Sequence, residues 1–173
     1  MLSIVYSCTL IGIDGYQVGV ETDISNGIPS FEVVGLGGIA VKESRERVRA
    51  AVKNSGFEFP IRRITINLSP AYMRKEGSAF DFPITIGILS ATGQVKSDLL
   101  SKSMFLGEVS LEGNLKPING VLSMASCAKE KGFLNIFVPV ENADEAAVIK
   151  GINVYSVRSI KHAADLLNGV EKL

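Results

Sequence analysis

The sequence predicts an α+β fold, in which an antiparallel-rich sheet packed with helices is followed by an α/β-like second half. The first third carries runs rich in β-branched residues, separated by turn sequences at Asp14-Gly15 and at 25–29, as in an antiparallel meander. After residue 120, helical and strand patterns alternate, which is typical of α/β proteins. No linker rich in Pro, Gly or Ser divides the 173 residues, so we expect one domain spanning 1–173.

The predicted strands are short runs in which apolar and polar residues alternate, or in which β-branched residues cluster. In the segment 62–69, Ile64, Ile66 and Leu68 alternate with polar neighbours, so one face of this strand should be buried, and Pro70 ends it. The predicted strands are 3–10, 16–25, 30–35, 62–69, 104–111, 114–117, 135–139 and 153–157.

The predicted helices have apolar residues three and four positions apart. The first of them ends before Gly56, and glycine is common just after a helix. Asn142, followed by Glu145 three residues later, resembles a capping box and predicts another helix start. The predicted helices are 41–55, 80–95, 121–132, 142–151 and 159–169.

The segment 80–95 fits two patterns. Apolar residues alternate from Phe82 to Ile88 as they would in a strand, whereas Asp81 followed by Pro83 resembles a capped helix start. The length of the apolar stretch favours a buried helix.

The composition excludes several classes of protein. With 46% hydrophobic and 21% charged residues, the chain is neither disordered nor collagen-like.

No Lys or Arg precedes the first apolar run, so it does not resemble a signal peptide. The most apolar later stretch, 82–91, is about half the ~20 residues that a membrane-spanning helix needs. We therefore expect a cytoplasmic protein without membrane contact.

The sequence offers few ligands for a metal ion. Cys8 and Cys127 are far apart in the chain and lack a C-x-x-C partner, which predicts two reduced, buried thiols. The single histidine, His162, lies among alanines and leucines, so we interpret it as a residue at a core boundary rather than a catalytic base. We therefore predict no metal site.

Two nucleotide-binding motifs can be compared with the sequence. Gly35, Gly37 and Ala40 have the G-x-G-x-x-A spacing of a dinucleotide site, but the strands before them resemble hairpins and no ribose-binding carboxylate follows. We interpret these glycines as a turn leading into a helix. A P-loop requires Gly-Lys, a dipeptide that is absent from the chain, so ATP hydrolysis by a P-loop is excluded for this segment.

The formal net charge of zero hides an uneven distribution. Residues 1–41 carry four acidic and no basic residues, whereas 42–75 carry nine basic and three acidic residues. Four basic residues of the first predicted helix are three or four positions apart, so they lie on one face and form a basic stripe. Such a stripe predicts contacts with the phosphates of DNA. The alternative is an ordinary solvated face whose arginines pair with Glu43 and Glu46. The predicted DNA-binding residues are Lys42, Arg45, Arg49 and Lys53, extended by Arg74 and Lys75.

The segment 68–83 combines basic, acidic and hydroxyl side chains where a loop meets a helix. Ser78 is the candidate nucleophile, since an unprotonated lysine amine can accept its hydroxyl proton. Alternatively, Arg74 and Lys75 bind an anion. In a third interpretation, the acidic residues cap the helix and the two basic side chains face water.

Five long strings carry a resemblance to a known family: FEVVGL, AVKESRERVRAAVKNSGFEFP, RRITINLSPA, RKEGSAFDFPI and FLGEVSLEGNLKPINGVL. With them, the chain resembles essentially end to end the N-terminal domain of magnesium-chelatase-like AAA+ proteins of the YifB/ComM type. The turn that is usually GLPD in this family is GLGG here, so Gly37 and Gly38 resemble a loop variation, which further disfavours a dinucleotide site.

The family resemblance implies a Lon-protease-like fold, which is also the fold of the second domain of a small-subunit ribosomal protein. The Lon serine motif resembles K-D-G-P-S-A-G. Laid on 75–77, it places Ala79 at the nucleophile position and Ser78 one residue early. The string before the Lon lysine, laid on 118–121, places Leu122 where the lysine belongs. Neither half of the Ser-Lys dyad is therefore in register.

The family resemblance also implies a P-loop ATPase module downstream, which uses ATP and magnesium, assembles as a ring and acts in DNA branch migration in the competence-related branch. The chain ends at Leu173, before such a module. We therefore expect a non-catalytic domain that needs no cofactor of its own and contributes assembly, partner or DNA contacts. The alternatives are a Lon-type serine peptidase, in which Ser78 recruits Lys75 or Lys116, and a stand-alone structural or interaction domain.

Overall fold

Nine strands and five α-helices make up the computed structural model, which describes residues 1–173. The strands are β1 (Leu2–Ile11), β2 (Asp14–Ser25), β3 (Ser30–Val34), β4 (Arg63–Ser69), β5 (Ser103–Phe105), β6 (Glu108–Val109), β7 (Leu115–Lys116), β8 (Asn135–Pro139) and β9 (Asn153–Val157). The helices are α1 (Ile39–Asn54), α2 (Asp81–Ala91), α3 (Val121–Glu130), α4 (Ala143–Ala146) and α5 (Ile160–Leu167). Single 3₁₀ turns cover Leu100–Lys102 and Val140–Asn142.

Seven strands form one mixed sheet in the order β3-β4-β2-β1-β5-β8-β9, and β6 pairs with β7 in a separate ribbon. In the large sheet, β1–β2 and β2–β4 are antiparallel and the other four pairings are parallel. The α+β class with an α/β-like second half is confirmed. The predicted meander is wrong in its third strand, because β4 occupies the outer edge of β2 along seven residue pairs and β3 pairs in parallel with β4.

The large sheet carries a hydrophobic core on each face, since successive side chains of a strand point to opposite sides. On β1, Val5 lies in the larger core together with residues of α1, α2 and α5. Cys8 of the same strand lies in the smaller core together with residues of α3 and α4. The helices therefore cover both faces of the sheet.

Helix α2 confirms the helical interpretation of the segment that fitted two patterns. Every residue from Asp81 to Leu89 is buried, so the helix has no polar face, and its apolar spacing is as compatible with a strand as with a helix. Asp81 lies in the first turn but does not cap the helix, because Phe80 is the N-cap residue. None of the helices is long and apolar enough to cross a membrane.

The capping box predicted at Asn142 is wrong. The Asn142 side chain accepts a hydrogen bond from the Ile118 N–H at 3.0 Å and donates one to the Ile118 carbonyl at 2.9 Å, so it fastens a distant loop instead. Helix α4 begins directly after Asn142, without a side-chain cap, and is four residues long. The predicted strand 104–111 is interrupted by Leu106 and Gly107, which separate β5 from β6.

Candidate functional site

The loop between β4 and α2 is organised around the buried side chain of Lys75. Its Nζ donates hydrogen bonds to the carbonyl oxygens of Gly35 at 2.7 Å and Leu68 at 2.8 Å, and also to that of Pro70. Burial lowers the pKa of Lys75. The prediction that Lys75 contacts DNA or another anion is wrong, because its side chain is fully buried and its ammonium hydrogens are directed at backbone carbonyls.

The glycine loop before α1 packs against the same lysine. The Gly38 N–H donates to the Lys75 carbonyl at 2.8 Å, and the Leu36 carbonyl accepts from the Lys75 N–H at 3.0 Å. Gly35 has φ +104°, and a side chain there would collide with the backbone of Leu68. The loop therefore joins α1 to the end of β4, and its geometry does not fit the open cradle of a dinucleotide pyrophosphate.

Ser78 lines a cleft of about 390 Å³ between the β4–α2 loop, β1 and the segment that leads into α3. The charged side chains in its walls are the carboxylates of Glu76 and Glu108, and no lysine lines it. Lys75 donates its hydrogens elsewhere, so the interpretation of Lys75 as the base for Ser78 is wrong. The cleft as it stands brings Ser78 to acidic groups and not to an amine.

Helix α1 presents the predicted basic stripe at the surface, but its four members differ in their contacts. Arg45 pairs with Glu32 at 3.1 Å. Arg49 pairs with Glu46 at 4.0 Å, as the alternative interpretation expects, and its guanidinium lies 5.6 Å from the centre of the Phe59 ring. The exposed ammonium groups of Lys42 and Lys53 form no ion pair. Two charges of the stripe are therefore partly engaged, and two face solvent unpaired.

The second half of α1 and the segment before β4 enclose a shallow basic pocket of about 410 Å³. Arg49 and Lys53 line it from the helix, and Arg62 lines it from the opposite side. The lining contains no acidic residue, and Ile61 beside it is 85% exposed. We call this the basic pocket; its lining residues are Pro29, Ser30, Arg49, Lys53, Phe59, Pro60, Ile61 and Arg62.

The sequence predicts Arg62 in a strand and not among the DNA-binding residues. The signal that could have found it is the Arg62-Arg63 pair, which directly follows Ile61. Arg74 does not line the basic pocket; it lies in the β4–α2 loop, is exposed and pairs with Glu76. The structure thus brings Arg49 and Lys53 together with Arg62 and leaves Arg74 in a different loop.

A buried charged cluster joins α1 to the start of α2. Asp81 accepts hydrogen bonds from the Ser44 hydroxyl at 2.5 Å, from Arg47 Nε at 2.7 Å and from the Val109 N–H at 3.0 Å. Burial raises the pKa of Asp81, whereas these three donors oppose that shift by stabilising the carboxylate. Since every donor comes from another element, the cluster holds α1 in place and with it the basic pocket.

The single histidine lies in α5, away from these sites. His162 Nδ1 accepts a hydrogen bond from the Arg158 N–H at 3.1 Å, and Nε2 lies 3.6 Å from Glu171. Burial lowers the pKa of His162, and the positive charge of Arg158 lowers it further. The structure contains no group of three or more His, Cys, Asp or Glu side chains arranged to hold a metal ion.

Comparison with known proteins identifies the family. The family described as subunit ChlI of Mg-chelatase matches residues 20–142. The chain is 40% identical over 172 residues to competence protein ComM of Haemophilus influenzae, which covers 99% of this chain and 34% of that protein. It is 41% identical over 150 residues to the uncharacterized protein YifB of Escherichia coli, covering 87% of this chain and 29% of that protein.

A weaker similarity links the chain to Lon proteases. It is 28% identical over 166 residues to Lon protease of Mycolicibacterium smegmatis, covering 90% of this chain and 21% of that protein. The chain spans about a third of the length of the ComM protein that it matches, 34% of that protein's residues. The resemblance seen in the sequence strings is thereby confirmed, and the chain belongs to the Mg-chelatase ChlI family, with ComM and YifB among its relatives.

Proposed function

We propose that this chain is a non-catalytic domain that contacts DNA phosphates through the basic pocket, in a DNA-processing protein of the Mg-chelatase family. The observation that carries the proposal is the convergence of Arg49, Lys53 and Arg62 on one pocket without an acidic residue in its lining. Three cations near one another attract a polyanion and release its condensed counterions.

The chemistry of the pocket supports recognition of the nucleic-acid backbone rather than of bases. Arginine and lysine donate to phosphate oxygens without reading sequence. Ser30 adds a hydroxyl at the rim, and the exposed Ile61 adds an apolar contact. Lys42 extends the positive surface along α1 and forms no ion pair. We therefore expect binding that depends strongly on salt and weakly on sequence.

The proposal extends to the longer proteins of the family. There we expect this domain to act beside an ATPase module that binds ATP and magnesium, and to contribute to ring assembly. The competence protein ComM among its relatives supports a role in DNA processing. The residues of the basic pocket supply DNA contacts, and ATP chemistry belongs to the other module.

A titration of fluorescently labelled DNA with the 173-residue chain tests the proposal. The variant Arg49→Gln/Lys53→Gln/Arg62→Gln removes three charges from the pocket. We expect this variant to bind more weakly. The slope of log affinity against log salt should become less steep by about 2 to 3, because each phosphate contact contributes about 0.9 to that slope on duplex DNA.

A matched variant controls for the loss of net charge. Lys102→Gln/Lys129→Gln/Lys150→Gln removes three exposed charges that do not line the basic pocket. It should keep nearly the wild-type affinity and slope. The proposal is wrong if both triple variants lose the same affinity, or if the pocket variant binds like the wild type.

A Lon-type peptidase that uses Ser78 is the second candidate function. The similarity to Lon proteases and the position of Ser78 in a cleft favour it. It predicts that a serine-reactive phosphonate labels the wild-type chain and fails to label Ser78→Ala. A wild-type chain that stays unlabelled while a reference serine peptidase reacts would exclude it. A stand-alone structural domain is the outcome if neither DNA binding nor labelling occurs.

A further inference from the structure

Two cysteines that are far apart in the sequence meet between β1 and α3. Cys8 and Cys127 are free, buried thiols, as the sequence predicts. The position that a Cβ would take on Gly15 lies 2.8 Å from the Cys127 Cβ and 3.0 Å from the Cys8 Sγ. Both side chains therefore flank one point, and the absence of a side chain on Gly15 gives them that space.

The two thiols have different access to solvent. Cys127 is 4% exposed and lines an open pocket of about 650 Å³ between the β1–β2 turn and α3. Cys8 is fully buried, at the wall of the cleft that contains Ser78. A small neutral oxidant that enters the larger pocket reaches Cys127 first.

The local electrostatics distinguish the two thiols in the same direction. The Cys8 thiol donates to the Thr9 carbonyl at 3.5 Å. The neighbouring Cys8 lowers the pKa of Cys127 to about 7, and the positive charge of Lys131 assists, while burial and Glu130 oppose the shift. The neighbouring Cys127 and burial raise the pKa of Cys8. Since the thiolate is the nucleophile in thiol oxidation, Cys127 is the group prepared to react.

We propose that Cys127 is a peroxide-reactive thiol and that Cys8 converts its oxidised form into an intramolecular disulfide. The Cys127 thiolate attacks one oxygen of hydrogen peroxide, the O–O bond breaks, and a sulfenic acid and hydroxide form. The Cys8 sulfur then attacks the Cys127 sulfur, an S–S bond forms, the S–O bond of the sulfenic acid breaks, and the departing hydroxyl takes the Cys8 proton and leaves as water. In total, two thiols lose two hydrogen atoms, and one hydrogen peroxide becomes two waters.

The disulfide would connect the sheet to a helix beside the Ser78 cleft. Cys8 belongs to a central strand, and α3 begins directly after the cleft-lining residues Pro117, Ile118 and Asn119. Oxidation would therefore fix the position of α3 relative to this wall of the cleft. Peroxide would act on the molecule at a site separate from the basic pocket.

Mass spectrometry of the 173-residue chain tests the proposal. The reduced wild type, treated with hydrogen peroxide and then with N-ethylmaleimide, should lose two hydrogen atoms and bind no maleimide. Its tryptic digest should contain one cross-linked pair of peptides carrying Cys8 and Cys127. Cys8→Ser should instead retain a sulfenic acid on Cys127 that dimedone traps, and Cys127→Ser should take up no oxygen at the same peroxide dose.

A measurement on the unsubstituted chain keeps the test independent of how the variants fold. Brief alkylation of the native wild type should label Cys127 well before Cys8, whereas alkylation in denaturant should label both at similar rates. The proposal is overturned if Cys8 is labelled first, if both thiols survive peroxide, or if the disulfide forms only between two chains.

Discussion

The buried lysine gives the sharpest prediction about stability. In Lys75→Met the aliphatic chain is kept and the ammonium group is removed, so the carbonyls of Gly35, Leu68 and Pro70 lose their donor. Hydrogen bonds to a charged group contribute about 1.5–3 kcal/mol each. The burial of an ammonium group that has no carboxylate partner costs several kcal/mol, and the variant avoids this cost. We expect a net loss of about 2–4 kcal/mol in the free energy of unfolding.

Urea unfolding followed by circular dichroism measures this loss. The midpoint should fall while the slope with urea stays unchanged, because the surface exposed on unfolding is the same. Lys116→Met is the control, since Lys116 is exposed, and it should change the free energy by less than about 0.5 kcal/mol. A Lys75→Met loss as small as that of the control would refute the assignment of Lys75 as the organising residue of the loop.

The same variant separates structure from DNA contact. Because the Lys75 side chain is fully buried, Lys75→Met should keep the wild-type salt slope for DNA under conditions in which it is folded. A slope that falls by about 0.9 would mean that Lys75 neutralises a phosphate, contrary to its burial.

Two further predictions concern other buried groups. The free energy of unfolding should fall as the pH drops from about 6.5 to the lower pKa of folded His162, by up to about 1.4 kcal/mol per pH unit, because the Nδ1 that accepts from Arg158 must stay unprotonated. Urea midpoints against pH should be flatter for His162→Asn, and parallel profiles would contradict the prediction. Asp81→Asn should cost about 3 kcal/mol, since Arg47 loses its buried anion and keeps only the exposed Glu43 at 3.7 Å. A double-mutant cycle with Arg47→Met should show coupling above about 1 kcal/mol, and simple additivity would contradict the pairing.

Local patterns predicted most of the elements. The three- and four-residue spacing of Val41, Ser44, Val48 and Val52 predicted α1, and all four are buried. The alternation of Ile64, Ile66 and Leu68 predicted β4 in the same way. These patterns are local, since each records which face of one element meets the core.

Pairings between distant segments could not be predicted in this way. Whether β3 joins β2 or β4 depends on the competition between strands for one sheet edge, which no window of the sequence records. Asn142 and Lys75 look like ordinary surface polar residues, because their partners lie in other segments. The sequence predicts a basic stripe that includes Arg49 and Lys53, because they share a helix, but it does not predict a pocket. Arg62 belongs to another segment, and only the fold brings it next to them.

The position of β1 in the sheet has a consequence for the order in which the chain is synthesised. β1 lies between β2 and β5. Its partner on one side, β2, ends at Ser25, but its partner on the other side, β5, begins only at Ser103; there Tyr6 pairs with Met104. Ribosomes add about 5–20 residues per second, so the edge of β1 that pairs with β5 stays unpaired for about 5–20 seconds during synthesis. Unpaired strand edges promote association between nascent chains. For this protein, the interval before β5 emerges is therefore when protection by a chaperone would matter most.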